Sequence, residues 1–191
     1  MTAAPLQGKT VAFLTAQEGV EEVELTEPWK AVERAGGSPR LIAPEAGEIQ
    51  AFRHLDKSNT YHVDETLAEA DPDSYDALVL PGGVANPDQL RTDERAVEFV
   101  QRIFSAGKPV GAICHAPWTL VEADLVRGRK ITSWPSLKTD IRNAGGEWVD
   151  QEVVVDQGLV SSRKPDDLDA FCAKITEEFA EGRHPVAGTP G

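Results

Sequence analysis

The chain holds two cysteines, Cys114 and Cys172, and Cys114 stands where a thiol could react. In Ala112-Ile113-Cys114-His115-Ala116-Pro117 an apolar strand, Pro109–Ile113, stops abruptly at the cysteine and a helical pattern follows at once. Such a reversal forces the residue into an exposed, strained turn at the carboxyl edge of a sheet, the nucleophile-elbow arrangement. Ligands of open α/β sheets gather at that same edge. A helix N-terminus behind the sulfur favours the thiolate, which is the nucleophilic form. His115, adjacent in sequence, could exchange a proton with it. A small buried cysteine at a strand end would by contrast be inert, so the neighbours must decide.

Two neighbouring motifs supply them. Pro81-Gly82-Gly83 ends the strand Ala77–Leu80. Glycines allow close backbone approach, and the N–H groups of Gly82 and Gly83 could face an oxyanion formed beside Cys114. Glu21-Glu22-Val23-Glu24 follows the first strand, Thr10–Thr15. Glu21 and Glu24 are three apart and share a face if a helix has begun. A carboxyl buried beside a thiolate has a raised pKa and can donate a hydrogen bond while neutral.

Four motifs in order carry a resemblance: Glu-Glu-Val-Glu-Leu after the first strand, Leu-Val-Leu-Pro-Gly-Gly, Ala-Ile-Cys-His-Ala-Pro, and Thr-Ser-Trp-Pro. Over about Lys9 to Phe179 the chain resembles the PfpI family. This is the intracellular-protease-like branch of the class I glutamine amidotransferase-like superfamily, which also contains the parkinsonism-associated deglycase. The resemblance implies an α/β flavodoxin-like sandwich, a mostly parallel sheet with helices on both faces. It also implies a homodimer or higher homo-oligomer and no cofactor. By position it makes Cys114 the nucleophile, His115 its neighbour, Glu24 the carboxyl bonded to the sulfur and Glu21 a second acid. Gly83 and the His115 backbone N–H become oxyanion donors. Asp88 matches a carboxylate that reaches the histidine from a neighbouring subunit, though it is shorter than the usual glutamate and its loop differs by a residue. Trp134 aligns the chain with the protease-like branch and would wall or cover Cys114. Ala116 stands where many relatives carry glycine.

Alternating apolar runs and helical patterns are consistent with that architecture. Beyond the first strand, a helix is expected from near Glu24 to Gly36-Gly37, then a strand over Ser38–Ala43. Gly47–Val63 is polar and reads as a short hairpin or excursion. Thr92 reads as the N-cap of a helix ending at Gly107. Further helices are expected over Leu120–Leu125, Leu137–Ala144 and about Asp166–Phe179. Strands are expected over Gly128–Thr132, and over Glu152–Val155 and Leu159–Ser161 around Asp156-Gln157-Gly158, a hairpin signal. Residues 10–181 read as one domain, with an N-terminal extension over 1–9 and a loose tail over 182–191.

Composition narrows the function classes. The net charge of −13 repels phosphate backbones and anionic lipid, so neither nucleic acid nor a membrane is an expected partner. No apolar run is long enough to span a bilayer, and Met1–Lys9 lacks the apolar core of a secretory signal. A cytoplasmic protein without disulfides is the expectation. No cysteine–histidine spacing suggests a metal site. Cys172 falls on a core stripe with Leu168, Phe171, Ile175 and Phe179. His54 and His62 read as solvent-exposed, His184 falls in the tail and is given no role, and Glu177, Glu178 and Glu181 read as a solvated face.

Two functions remain open. In one, Cys114 attacks an electrophilic carbonyl, in a dicarbonyl, its protein adduct or a peptide, with Glu24 moving the proton. In the other, Cys114 is oxidised to a sulfinic acid and serves a redox-sensing or chaperone-like stress protein.

Overall fold

The computed structural model describes residues 4–185. The chain order opens with β1 (Thr10–Leu14), β2 (Glu18–Glu21), α1 (Glu22–Arg34) and β3 (Ser38–Ala43). Next come β4 (Glu48–Arg53), β5 (Asp56–His62), β6 (Glu65–Thr66), β7 (Ala77–Leu80) and α2 (Ala85–Leu90). They are followed by α3 (Glu94–Ser105), β8 (Val110–Ile113), α4 (Pro117–Glu122), β9 (Lys130–Ile131) and α5 (Lys138–Asn143). The last elements are β10 (Glu147–Trp148), β11 (Val153–Asp156), β12 (Leu159–Ser162) and α6 (Leu168–Glu181).

The central sheet has seven strands in the order β11-β12-β8-β7-β1-β3-β6. Every pair in it is parallel except β11 with β12. Its central strands β7 and β8 are apolar and buried at every position because both faces are covered. Val11 and Phe13 point into one core with α1 and α6, including Leu25, Val32 and Phe171. Ala12 and Leu14 point into the other, with Val100 and Ile103 of α3 and Ile141 of α5. Successive side chains alternate between faces, so one short strand feeds both cores. This is the expected α/β fold.

The strand order reverses between β1 and β7, and the crevice at such a switch point opens at the carboxyl ends of the strands. The segments carrying Glu24, Gly82 and Gly83, and Cys114 follow β1, β7 and β8 in turn.

Several local expectations change. Glu18–Glu21 is a strand, paired with β4 beside the β4–β5 hairpin in a second, three-stranded sheet. The hairpin expected within Gly47–Val63 is present. The first helix begins at Glu22, with Glu21 as its N-cap. Asp93, not Thr92, caps α3: its carboxylate accepts the Arg95 N–H at 3.0 Å, while the Thr92 hydroxyl donates to the Gln89 carbonyl at 2.8 Å. A helix over Ala85–Leu90 follows the Gly-Gly turn, where none was expected. Leu6 is fully buried and its N–H bonds the Ala35 carbonyl at 2.8 Å, so the described part of the N-terminal extension packs on the domain. In the expected tail, residues 182–185 are described and His184 N–H donates to the Gly107 carbonyl at 2.7 Å. The rest, 186–191, lies outside the described residues.

Candidate active site

Cys114 adopts φ 64°, a conformation that L-residues other than glycine rarely take. The surroundings fix it there. Its N–H donates to the Ser162 carbonyl at 3.0 Å and its carbonyl accepts from Trp134 N–H at 2.9 Å. The Ala116 N–H then bonds the Ile113 carbonyl at 3.1 Å, closing the turn before α4. An outlier held by its neighbours in this way is a common signature of a functional position. The sulfur sits low in the turn, and Cys114 is only 6% exposed.

Glu24 lies in the first turns of α1 and is fully buried. Its Oε2 accepts the Gly82 N–H at 2.9 Å. Its carboxyl also faces the Cys114 side chain and the Gly83 N–H, and its Oε1 has no hydrogen-bond partner among the described residues. Burial pushes the Glu24 pKa up to about 8, helped by the charge of Glu21 and opposed by those groups. Burial also raises the Cys114 thiol, as does a negative charge on Glu24, while the Gly83 and His115 backbone N–H groups lower it. Two acids in contact cannot both ionise readily, so the pair keeps at least one proton, and when one proton is lost the other is held between them. Placing that proton on Glu24 turns the carboxyl into a donor toward sulfur and removes the repulsion.

The Gly-Gly turn is shaped for this contact. A Cβ on Gly82 would collide with Glu24 Oε2 and come within 2.7 Å of Cys114 Cβ. Gly83 has φ 84°, and a Cβ there would strike the Gly19 carbonyl. Asn86, fully buried, holds the turn: its amide donates to the Pro81 and Gly82 carbonyls at 2.9 and 3.1 Å and accepts the Ala16 N–H at 2.7 Å. The Gly82 N–H, expected to face an oxyanion, is instead spent on Glu24. Gly83 and His115 are left as the backbone donors directed at the sulfur.

Glu21 is half-buried at the cleft and its Oε2 accepts the His54 N–H at 2.9 Å. Between the two acids, Glu22 turns the other way. Its carboxylate takes Arg53 Nε at 2.7 Å, Asn59 Nδ2 at 2.6 Å and Tyr61 Oη at 2.8 Å. These bonds, led by Arg53, hold it down at about 2, against burial. The clamp fastens the β4–β5 hairpin over α1 and brings the hairpin tip, His54 and Leu55, to the cleft.

The cleft has a volume of about 250 Å³ and is lined among others by Glu21, Glu24, Leu55, Gly83, Cys114 and Trp134. Leu55, Val84 and Trp134 are exposed apolar side chains on its lining. The His115 ring lies between two tryptophans, stacked on Trp134 at 5.6 Å and edge-on to Trp118 at 5.3 Å. Its Nδ1 is 3.1 Å from Cys114 Sγ. Burial lowers the imidazole pKa to about 4, so the ring is neutral at pH 7.

The expected residues Cys114, His115, Glu24, Glu21, Gly83 and Trp134 therefore meet in one place. Asp88 does not join them within the chain: it is exposed on α2 and absent from the cleft lining. Cys172 is half-buried between α6 and α1, and burial raises its thiol to about 11. His54 is exposed, as expected, and lies on the cleft, whereas the sequence does not single out Leu55 or Asn86. Asn86 carried a signal, a polar residue just after a Gly-Gly turn that needs holding. The hairpin tip carried none.

Among the described residues no helix is long and apolar enough to cross a membrane. The model of the DJ-1/PfpI family matches residues 9–178. The chain is 47% identical over 167 residues to "Deglycase PH1704" of Pyrococcus horikoshii, covering 87% of this chain and 97% of that protein. It is 44% identical over 164 residues to "Protein/nucleic acid deglycase 2" of Escherichia coli, covering 85% and 93%. Among solved structures, Drosophila melanogaster DJ-1beta superposes with a TM-score of 0.82 at 29% identity, covering 90% of each chain. Fold, motif order and sequence identity agree, and the chain belongs to the DJ-1/PfpI family.

Proposed function

We propose that the protein is a cysteine-dependent enzyme of the glyoxalase or deglycase type, acting on small 2-oxoaldehydes or their adducts through Cys114. The observation that carries this reading is the fully buried Glu24, its pKa raised to about 8 beside the Cys114 side chain. A base or acid poised near the working pH is what proton transfer requires. Two relatives named as deglycases support the same class. A cleft of about 250 Å³ suits a three-carbon carbonyl compound better than a peptide.

With methylglyoxal the steps balance without an oxidant or a reductant. The Cys114 thiolate attacks the aldehyde carbon, and the alkoxide is met by the Gly83 and His115 N–H groups. Glu24 gives its proton to that oxygen and, as carboxylate, takes the hydrogen from the same carbon. Returning that proton to the adjacent carbon, while the hydroxyl proton passes from the first oxygen to the second, converts the adduct to a lactoyl thioester. Water then releases lactate and restores the shared proton on the pair. The neutral His115, held between two tryptophans, excludes water from one side and orients the sulfur rather than acting as a strong base.

Asp88 enters this reading only through a second copy of the chain, where its exposed carboxylate on α2 could approach the partner's imidazole. Light scattering that finds a monomer at micromolar concentration removes that role. A cytoplasmic setting, which keeps a single thiol reduced, belongs to the same reading.

The test is lactate formation from methylglyoxal by the purified protein. Turnover that disappears in Cys114→Ala is the expected result. Absence of turnover in the wild type, with ready oxidation of Cys114 in intact-mass spectra, would replace the enzyme with a redox sensor.

A further inference from the structure

At the opposite edge of the sheet a second cluster of side chains is unused by the chemistry at Cys114. Glu178 and Glu181 are three apart near the end of α6 and so share one face of it. Gly182 then breaks the helix with φ 87°, a conformation that favours glycine. The break lets the chain fold back. His184 N–H bonds the Gly107 carbonyl at 2.7 Å, and the ring lies over Gly158, where a Cβ would come within 2.7 Å of its Cδ2. Glycine at 158 is what leaves room for the imidazole.

The result is one ligand atom each from Glu178, Glu181 and His184, all within 4.8 Å of one another. Glu178 is 7% exposed, and its Oε2 is 3.1 Å from His184 Nε2. Both atoms are buried, and beyond this contact with each other neither has a hydrogen-bond partner among the described residues. A buried carboxylate oxygen left without a hydrogen bond is costly. Two lone-pair-bearing atoms at about 3.1 Å are spaced as ligands on one tetrahedral cation with bonds near 2.0 Å would be.

We propose that Glu178, Glu181 and His184 bind a first-row divalent cation of the zinc type, which fastens the end of α6 and the following segment to the sheet. The imidazole selects zinc-type ions over calcium or magnesium, which take oxygen ligands. Two carboxylates and a neutral imidazole supply three ligands, and water completes the fourth position. The site is structural: Gly107 and Gly158 flank the start of β8, whereas Cys114 stands at its other end.

Equilibrium dialysis with zinc alone tests this on the full chain. The wild type is expected to bind one equivalent that Cys114→Ala retains, that Glu181→Gln and His184→Gln weaken by at least about tenfold, and that excess magnesium does not displace. Glu181 is exposed, so its variant tests the site without disturbing the core. Zinc at a hundred times its dissociation constant should raise the unfolding midpoint by roughly 5–10 °C in the wild type only. Zinc that follows Cys114, or that binds His184→Gln as tightly as wild type, overturns the proposal. So does a midpoint lowered in His184→Gln to the same extent with and without zinc, which would leave only an ion pair between Glu178 and His184.

Discussion

Glu22 and Glu24 lie two residues apart in the same first turns of α1, both are buried, and they end in opposite states. Glu22 meets a guanidinium, an amide and a phenol and is held at about 2. Glu24 meets a thiol and backbone N–H groups in a dry pocket and is pushed up to about 8. Burial raises both; only Glu22 has a cation within reach to reverse it. One acid is thereby a charged clamp for the hairpin and the other a proton carrier beside the sulfur. Separate environments for like groups are how a single fold assigns acid and base roles.

The contrast is open to attack, beginning with the largest effect. Glu24→Gln should cut turnover by about 10²–10⁴-fold, the usual worth of general acid–base catalysis, while iodoacetamide still alkylates Cys114 at a comparable rate. Glu24→Leu should slow alkylation too, because the thiolate loses its side-chain donor and keeps only the backbone N–H groups of Gly83 and His115. Equal alkylation in all three proteins at pH 7 would separate Glu24 from the sulfur.

The two acids should also write opposite signatures on stability. The folded chain holds the Glu24 proton above the ordinary value of 4.5, where the unfolded chain has released it. Its contribution therefore falls as pH rises from there toward about 8, by up to several kcal/mol at roughly 1.4 kcal/mol per pKa unit. For Glu22 the stabilisation is present above 4.5 and is lost as pH falls toward about 2. Denaturant midpoints across pH should lose the first slope in Glu24→Gln and the second in Glu22→Gln.

At neutral pH, Glu22→Ala should cost roughly 1–3 kcal/mol in urea titrations, the range for losing charge-assisted hydrogen bonds. Because the hairpin tip lines the cleft, KM should rise more than kcat falls. The smallest effect belongs to Glu21→Gln. Removing a charge that raises Glu24 should move the Glu24-dependent limb of the pH–rate profile down by less than about one unit.

Much of this site was legible in the sequence because each piece ends a strand. Cys114, Gly83 and Glu24 follow apolar runs whose direction places them at one edge. The Glu22 clamp was not, since Arg53, Asn59 and Tyr61 are 31 to 39 residues away in a polar stretch without a strong period. The partner of the Gly82 N–H was not legible either, because the sequence shows a glycine turn but not which acceptor will claim it. Trp134 could be placed near the elbow, but not together with Trp118 as the two walls that keep His115 neutral. His184 was dismissed as tail, because nothing in a short glycine- and proline-rich segment signals that Gly182 turns it back onto the sheet.

The central claim is that Glu24 carries the proton shared with Cys114. Difference infrared spectroscopy of wild type against Glu24→Gln reads it directly. A protonated-carboxyl band present in the wild type at pH 7, absent from the variant and titrating away near pH 8 is the result this account predicts. A wild-type spectrum at pH 7 with no such band would place the proton on sulfur and contradict it.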